Sequence, residues 1–331
     1  MSDLTSEFRP PGWLSNRHLQ SVLPSLPFRR AVIEKRAAAV IAASRQLVLD
    51  CGDGVRLMGW HADPPEAFTC THRRLVVLLH GWEGSSESLY VLSVAELLHQ
   101  RGFAVLRLNL RDHGGTHALN RELFHSCRLP EVVGAIARLQ ALYPDHSLTL
   151  AGFSLGGNFC LRVGGRAGGA GIRIARIVAV CPVLNPATTL AALESGPAIY
   201  RGYFMHKWRR SLRSKQAAWP ELYDFGDLIG HPSLTGMTEK MVLKYTDYPD
   251  LATYLQGYTI TGGVLESLEP PTHIVTSRDD PMILARDLDR LARSDSLRLT
   301  VTQYGGHCGF MDAVRGPSWI DRRIVAELER E

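Results

Sequence analysis

Residues 147–158 run Ser-Leu-Thr-Leu-Ala-Gly-Phe-Ser-Leu-Gly-Gly-Asn. An apolar run, Leu148 to Ala151, stops at Gly152-Phe153-Ser154-Leu155-Gly156, and a helix-capable segment follows. This G-x-S-x-G pentad between a strand and a helix commits the chain to a sharp turn. Such a turn holds its serine in a strained backbone conformation that lifts the hydroxyl out of the sheet edge. The residues two before and two after the serine approach neighbouring backbone, so glycine stands at both. The helix starting near Leu155 also points free N–H groups toward any oxyanion formed beside Ser154.

The segments around this turn alternate between strand and helix. Gln46–Leu49 and Val55–Trp60 flank Asp53-Gly54, a hairpin signal. A loop covers 62–73. Leu75–Leu79 is a continuous apolar run, as expected of a strand buried on both faces. A helix follows at 86–101, where Leu89, Leu92, Ala95 and Leu98 recur at helical spacing and Gly102 serves as the stop. Next come a strand at 103–110, a helix at 130–143, the serine strand with its helix, and a strand at 174–181. This order predicts a mostly parallel, doubly wound α/β sheet, whose ligands bind beyond the carboxyl ends of the strands. From 183 to 266 the rhythm breaks into helix-like segments rich in Tyr, Phe and Trp, including Tyr245, Tyr248, Tyr254 and Tyr258. We read this stretch as a helical cap insertion, its tyrosines packing mainly within it. The rhythm resumes with strand 272–277, helix 281–293, strand 297–303 and helix 318–329. The expected organisation is thus an extension at 1–45, core at 46–182, cap at 183–266 and core at 267–331. The extension is expected to hold little regular structure beyond a short helix at 31–43.

A serine hydroxyl is a poor nucleophile until a base takes its proton, and the base needs a third group to hold its tautomer. On a sheet of this kind the chain order is serine, acid, histidine. Strand 272–277 leads into Arg278-Asp279-Asp280-Pro281, and strand 297–303 into Tyr304-Gly305-Gly306-His307. Both loops emerge at the edge where Ser154 stands. His307 is the candidate base. Asp280, directly before Pro281, is the favoured acid, with Asp279 the alternative and helix N-capping the role left to the other aspartate. His113, His117 and His125 precede the serine and are read as loop or packing residues. The oxyanion needs two donors, expected to be the backbone N–H groups of Leu155 and of Trp82 in the turn His80-Gly81-Trp82.

Composition narrows the function classes. The chain has 331 residues, 45% hydrophobic and 21% charged, with a net charge of +4, which is too small to imply a nucleic-acid partner. Met1-Ser2-Asp3 lacks the layout of a signal peptide, and no apolar run approaches the ~20 residues of a membrane span. Cys51, Cys70, Cys127, Cys160, Cys181 and Cys308 form no C-x-x-C pair. We expect neither a zinc site nor a disulfide scaffold, but free thiols in a reducing cytoplasm. Cys308 is set aside as a nucleophile because adjacent side chains on an extended backbone point apart. His206-Lys207-Trp208-Arg209-Arg210 and Arg213-Ser214-Lys215 interleave basic and aromatic groups. That run is read as a solvated helix face with one packed aromatic, with docking to a membrane surface as the less favoured reading.

Taken together, the chain resembles the α/β-hydrolases, and within them the YheT-like family, which includes animal ABHD-type lipases and yeast ethyl-ester-forming acyltransferases. The resemblance is carried by His18-Leu19-Gln20 with Leu23-Pro24, His80-Gly81 with Glu83-Gly84, Phe124-His125-Ser126 and Gly152 to Asn158. It continues in Asp279-Asp280-Pro281 and in Gly305-Gly306-His307-Cys308-Gly309-Phe310. It implies Ser154 as nucleophile, Asp280 as acid and His307 as base, acting on small-molecule carboxylic esters, often lipid-like, without metal or organic cofactor. Two departures stand out. Trp82 occupies a place where a small residue or leucine is common, which narrows the acyl pocket. Residues 1–45 also lack the membrane anchor of the animal members. Two alternatives share the fold: an acyltransferase whose acyl-enzyme is intercepted by an alcohol, and a ligand-binding protein without catalysis.

Overall fold

The computed structural model of the protein describes residues 8–68 and 73–330. Cys70 and Met1-Ser2-Asp3 lie outside the described residues, as does part of the loop at 62–73. The expectation for the extension is corrected, because its described part carries α1 (Arg17–Val22), α2 (Pro27–Arg36) and α3 (Ala38–Ala43). The side chain of Asn16 caps α1 by accepting from the N–H groups of His18 and Leu19, and Pro27 opens α2. α1 and α3, at six residues each, span fewer than two turns. The buried side chains Ile33 and Val40, with Phe8 ahead of them, pack onto one face of the sheet.

The hairpin is present as β1 (Ser44–Asp50) and β2 (Arg56–Ala62), with Asp53 at φ 52° and Gly54 at φ 74° in the turn. Then come β3 (Arg74–Leu79), α4 (Leu89–Gln100), β4 (Ala104–Leu108), α5 (Leu129–Leu142), β5 (Ser147–Phe153), α6 (Leu155–Ala167) and β6 (Arg176–Val180). Five helices follow: α7 (Pro186–Ser195), α8 (Ala198–Ala218), α9 (Gly226–Ile229), α10 (Leu234–Tyr245) and α11 (Leu251–Gln256). The chain closes with β7 (Thr272–Ser277), β8 (Leu297–Thr302) and α12 (Trp319–Leu328). The eight strands form one sheet in the order β1-β2-β4-β3-β5-β6-β7-β8. The β1–β2 and β2–β4 pairs are antiparallel and all others parallel, as the alternating rhythm predicts.

The run Leu75 to Leu79 shows why the sheet is central. Leu75, Val77 and Leu79 join the core beneath α5 and α6, while Val76 and Leu78 join the opposite core beneath α4 and α12. All five are fully buried, which only a strand covered on both faces allows. One expected helix is absent. Residues 281–293 form bends and a single 3-10 stretch, Ala285–Arg290, because Asp280 turns the chain by accepting from the N–H groups of Met282 and Ile283.

Between β6 and β7 the described chain is helical, with no strand, and builds a third apolar core around Trp208, Leu212, Phe225 and Met237. Leu123 and Met282, from loops of the sheet layer, belong to the same cluster. A polar anchor runs alongside. Lys215 on α8 is wholly buried and donates to Asp112 Oδ1 at 2.9 Å and to the carbonyls of Asn120 at 2.6 Å and Glu122 at 3.0 Å. The other Asp112 oxygen accepts from the Phe124 N–H at 2.7 Å. Burial pushes the Asp112 carboxyl up to about 6 despite the lysine beside it. The basic run on α8 is therefore less of a solvated face than its charges suggest. Lys207 donates to the Glu83 carbonyl at 2.7 Å and Arg209 to the His231 carbonyl at 2.8 Å, with Trp208 packed inward. Among the described residues no helix is long and apolar enough to cross a membrane.

A buried charge left without its partner costs far more than the intact pair contributes. Lys215→Met should lower the unfolding free energy by roughly 3–5 kcal/mol. The double change Lys215→Met with Asp112→Leu, which removes both charges, should recover most of the loss. Denaturant unfolding of the two variants checks both expectations.

Candidate active site

The serine turn has the geometry its sequence demands. β5 ends at Phe153, α6 begins at Leu155, and Ser154 between them sits at φ 53°, ψ −118°. A side chain at Gly156 would run into the carbonyls of Leu79 and His80, and one at Gly152 into the carbonyl of Gly156. The strained residue is pinned on both sides. Its N–H donates to the Val180 carbonyl at 2.9 Å, and its own carbonyl accepts from the Asn158 N–H at 3.0 Å. Asn158, fully buried, donates to the carbonyls of Val183 and Tyr258, each at 2.8 Å. One amide thereby joins the start of α6 to both ends of the helical segment.

The histidine and the acid meet. His307 Nδ1 lies 2.8 Å from Asp280 Oδ2, whose side chain is fully buried. The second oxygen of Asp280 holds the N–H groups of Met282 and Ile283 at 2.8 Å and 2.9 Å. Asp280 therefore does both jobs, facing the ring and capping the turn. Asp279 takes a different one, accepting from the Gly306 N–H at 2.9 Å. Burial opposes a charged imidazole, but the Asp280 carboxylate outweighs it and raises the His307 pKa well above 6.5.

The turn after β3 abuts the serine, since a side chain at Gly81 would stand 3.2 Å from Ser154 Cβ. Three neighbours fix this turn. The Tyr90 hydroxyl accepts from the Gly81 N–H at 3.0 Å, His113 Nε2 accepts from the Glu83 N–H at 3.2 Å, and Lys207 holds the Glu83 carbonyl. His80 donates from Nδ1 to the Gly81 carbonyl and accepts at Nε2 from the Leu110 N–H. Burial lowers its pKa to about 4, consistent with this neutral tautomer. Among the described residues, no protein group accepts from the N–H of Trp82 or of Leu155. Both N–H groups are thus without a protein acceptor.

Ser154, His307, Leu155 and Trp82 line one cavity. Its walls come from α7, α8, α10 and α11, and they are apolar, with Leu190, Phe204, Trp208, Met241 and Tyr258 facing in. Trp82 stacks on Phe204 at 5.3 Å and meets Trp208 edge-on at 5.4 Å, which narrows the space beside the nucleophile. His125 lines the wall as well, although its place in the chain suggested only loop or packing. His113 and His117 stay structural, His117 meeting Ser211 Oγ at 2.9 Å.

Cys308 departs from the geometry assumed for it. The backbone there is not extended but left-handed, at φ 62°, so the side chains of His307 and Cys308 do not simply point apart. Cys181, His307 and Cys308 form the one group among the described residues able to offer three metal ligands, their atoms lying within 4.8 Å of one another. His307 Nδ1 is already engaged by Asp280 and Cys308 Sγ points to the Val180 carbonyl at 3.6 Å. The two thiols therefore pack beside the imidazole, and Cys308 does not reach the cavity wall.

A buried carboxylate–imidazole pair and a strained serine thus share one cavity at the carboxyl edge of a mostly parallel sheet, the edge where such α/β sheets bind ligands. Residues 74–314 match the model of the alpha/beta hydrolase fold family. The chain belongs to that family, among its YheT- and ABHD-like members. YheT of Escherichia coli (strain K12), which carries a provisional name as an esterase, is 25% identical over 97% of this chain and 92% of its own. Phospholipase ABHD3 of Mus musculus is 20% identical over 96% of this chain and 77% of its own. A yeast protein of Saccharomyces cerevisiae (strain ATCC 204508 / S288c), medium-chain fatty acid ethyl ester synthase/esterase 2, is 23% identical over 76% of this chain and 61% of its own. Among solved structures, the Pyrococcus furiosus esterase Pf2001 shares the fold with a TM-score of 0.56 at 17% identity, over 87% of this chain and 92% of its own.

Replacing Asp280 by Asn removes the charge that holds the imidazole's proton while burial remains. His307 should then titrate well below its present value, which NMR titration of the ring reads directly. An unmoved titration would show that another group sets it.

Proposed function

We propose that this hydrolase cleaves carboxylic esters carrying short- to medium-chain or lipid-like acyl groups, through an acyl-enzyme on Ser154. The observation that carries this reading is the 2.8 Å contact of His307 Nδ1 with buried Asp280, on the wall of the cavity that Ser154 also lines. His307 Nε2 takes the Ser154 proton as the hydroxyl oxygen attacks the ester carbonyl. Asp280 keeps the proton on Nδ1 and stabilises the imidazolium that forms. The carbonyl oxygen, now negative, receives the N–H groups of Leu155 and Trp82, each donor contributing roughly 3 kcal/mol of transition-state stabilisation. His307 returns its proton to the departing alcohol. Water repeats the sequence on the acyl-enzyme and releases the acid.

Residues 183–266 serve as a cap over the core segments 46–182 and 267–331, with 1–45 as an extension; the third apolar core, built mainly by the helical segment, supports this division. Its walls select apolar acyl chains, and the alcohol side is left to the rest of the cavity. An alcohol competing with water for the acyl-enzyme would give acyl transfer, a reading favoured by the apolar lining and by the ester-synthase name of the yeast relative. The described cysteines are free thiols, which supports a reducing, cytoplasmic setting.

A ladder of nitrophenyl esters from acetate upward tests the reading. Each methylene buried contributes about 0.8 kcal/mol, so kcat/KM should rise about fourfold per added methylene until the pocket is filled. Ser154→Ala should abolish both turnover and labelling by a fluorophosphonate probe. Equal turnover by wild type and Ser154→Ala would overturn the assignment.

A further inference from the structure

The loop that carries His307 is held from two sides, and only the inner side belongs to the sheet. There, Ser277 Oγ donates to the Gly306 carbonyl at 2.8 Å and Asp279 accepts from the Gly306 N–H at 2.9 Å. The outer side is covered by α1, nearly three hundred residues earlier in the chain. Ser21 Oγ accepts from the His307 N–H at 2.9 Å and donates its own proton to the Arg17 carbonyl at 2.7 Å, so its donor and acceptor roles are fixed. Gln20 is fully buried, and its amide is used at both ends. Nε2 donates to the carbonyls of Leu14 at 2.8 Å and Met311 at 2.9 Å, and Oε1 accepts from the Met311 N–H at 2.7 Å.

Helix and loop touch backbone to backbone. A side chain at Gly306 would meet the Arg17 carbonyl and Ser21 Oγ, and one at Gly309 would overlap the Gln20 carbonyl. Gly306 needs its lack of a side chain twice over, since it also sits at φ 54°. The far side of α1 is tied as well, His18 Nδ1 lying 2.8 Å from the Tyr200 hydroxyl on α8.

We infer that α1 is a positioning element for the histidine of the triad, with Ser21 setting the His307 backbone and Gln20 clamping the loop behind it. Neither side chain touches the reacting atoms. Both act by restricting where the imidazole can point, and a base displaced by a fraction of an ångström loses much of its advantage. Hydrogen bonds to buried backbone do this with little freedom left over, because the Gln20 amide has a donor or acceptor opposite each group it uses. The inference rests on the esterase reading above.

The test uses the whole protein with Ser21→Ala, Ser21→Thr and Gln20→Met. kcat and KM are measured on a nitrophenyl ester, together with the fluorophosphonate labelling rate at Ser154 and the NMR signal of the His307 Nδ1 proton. Ser21→Ala should lower kcat and labelling roughly tenfold, with KM changed by less than about twofold. Ser21→Thr, which keeps the oxygen, should restore both. Gln20→Met should lower kcat in the same way, and if it fails to fold, the Ser21 pair decides alone. Unchanged kcat in Ser21→Ala, or a loss that Ser21→Thr does not restore, would overturn the inference. Should the wild type turn over no ester, the esterase reading fails by itself, and the Nδ1 proton signal still reports on the helix. A shifted or broadened signal in Ser21→Ala supports the positioning role, and an unmoved one removes it.

Discussion

The packing of Gly156 against the carbonyls of Leu79 and His80 is the contact on which the site depends. It lets α6 start directly beneath the end of β3, which brings the turn at Gly81 beside Ser154. The cost is local. A non-glycine residue at φ 53° carries strain of order 1–3 kcal/mol. That strain persists because the Ser154 backbone is held at both its N–H and its carbonyl, and because Asn158 ties the first turn of α6 to Val183 and Tyr258.

Charge around the site follows the same logic of fixed neighbours. His80 and His113, fully buried, are held neutral by burial and spend their ring nitrogens on backbone that shapes the turn after β3. His307 differs because a carboxylate stands behind it. Of these three imidazoles, only His307 has a carboxylate partner and lines the cavity with Ser154. The difference is made by partners and not by residue type.

How much of this could be read in advance depended on whether the signal was local. The strand runs Leu75 to Leu79 and Leu148 to Ala151, the Asp53-Gly54 turn and the glycines around Ser154 state their conformation within a few residues. That the loops bearing Asp280 and His307 follow β7 and β8 at the edge where Ser154 stands could be read from the sheet rhythm. The failures were contacts between distant segments or a competition at one residue. Asp280-Pro281 looked like the start of a helix, but Asp280 uses one oxygen on the turn and the other on His307, and the chain continues in bends. Two of the extension's helices span only six residues, fewer than two turns, too little to establish a helical repeat in the sequence. The role of Gln20 was invisible for a different reason: its partner Met311 lies 291 positions away. Cys308 was misjudged because an extended backbone was assumed where the chain turns left-handed.

The basic run on α8 shows most plainly that charge pattern and charge function are separate matters. Read along a helix, Lys207, Arg209 and Lys215 suggest a surface; in space they reach inward to Glu83, His231 and Asp112. Two of those contacts fall on the framework of the cavity, since Glu83 follows Trp82 in the turn after β3 and Asp112 begins the loop leading to Phe124. The helical segment is thus joined to the core by more than apolar contact. Lifting α8 away as a unit would strand Lys215 and Asp112, and stranding one member of such a pair costs roughly 3–5 kcal/mol. Motions that admit substrate are therefore cheaper in side chains at the cavity rim than in the segment as a whole. Through Lys207 and Glu83, the cavity wall on α8 and the turn after β3 are tied to one another.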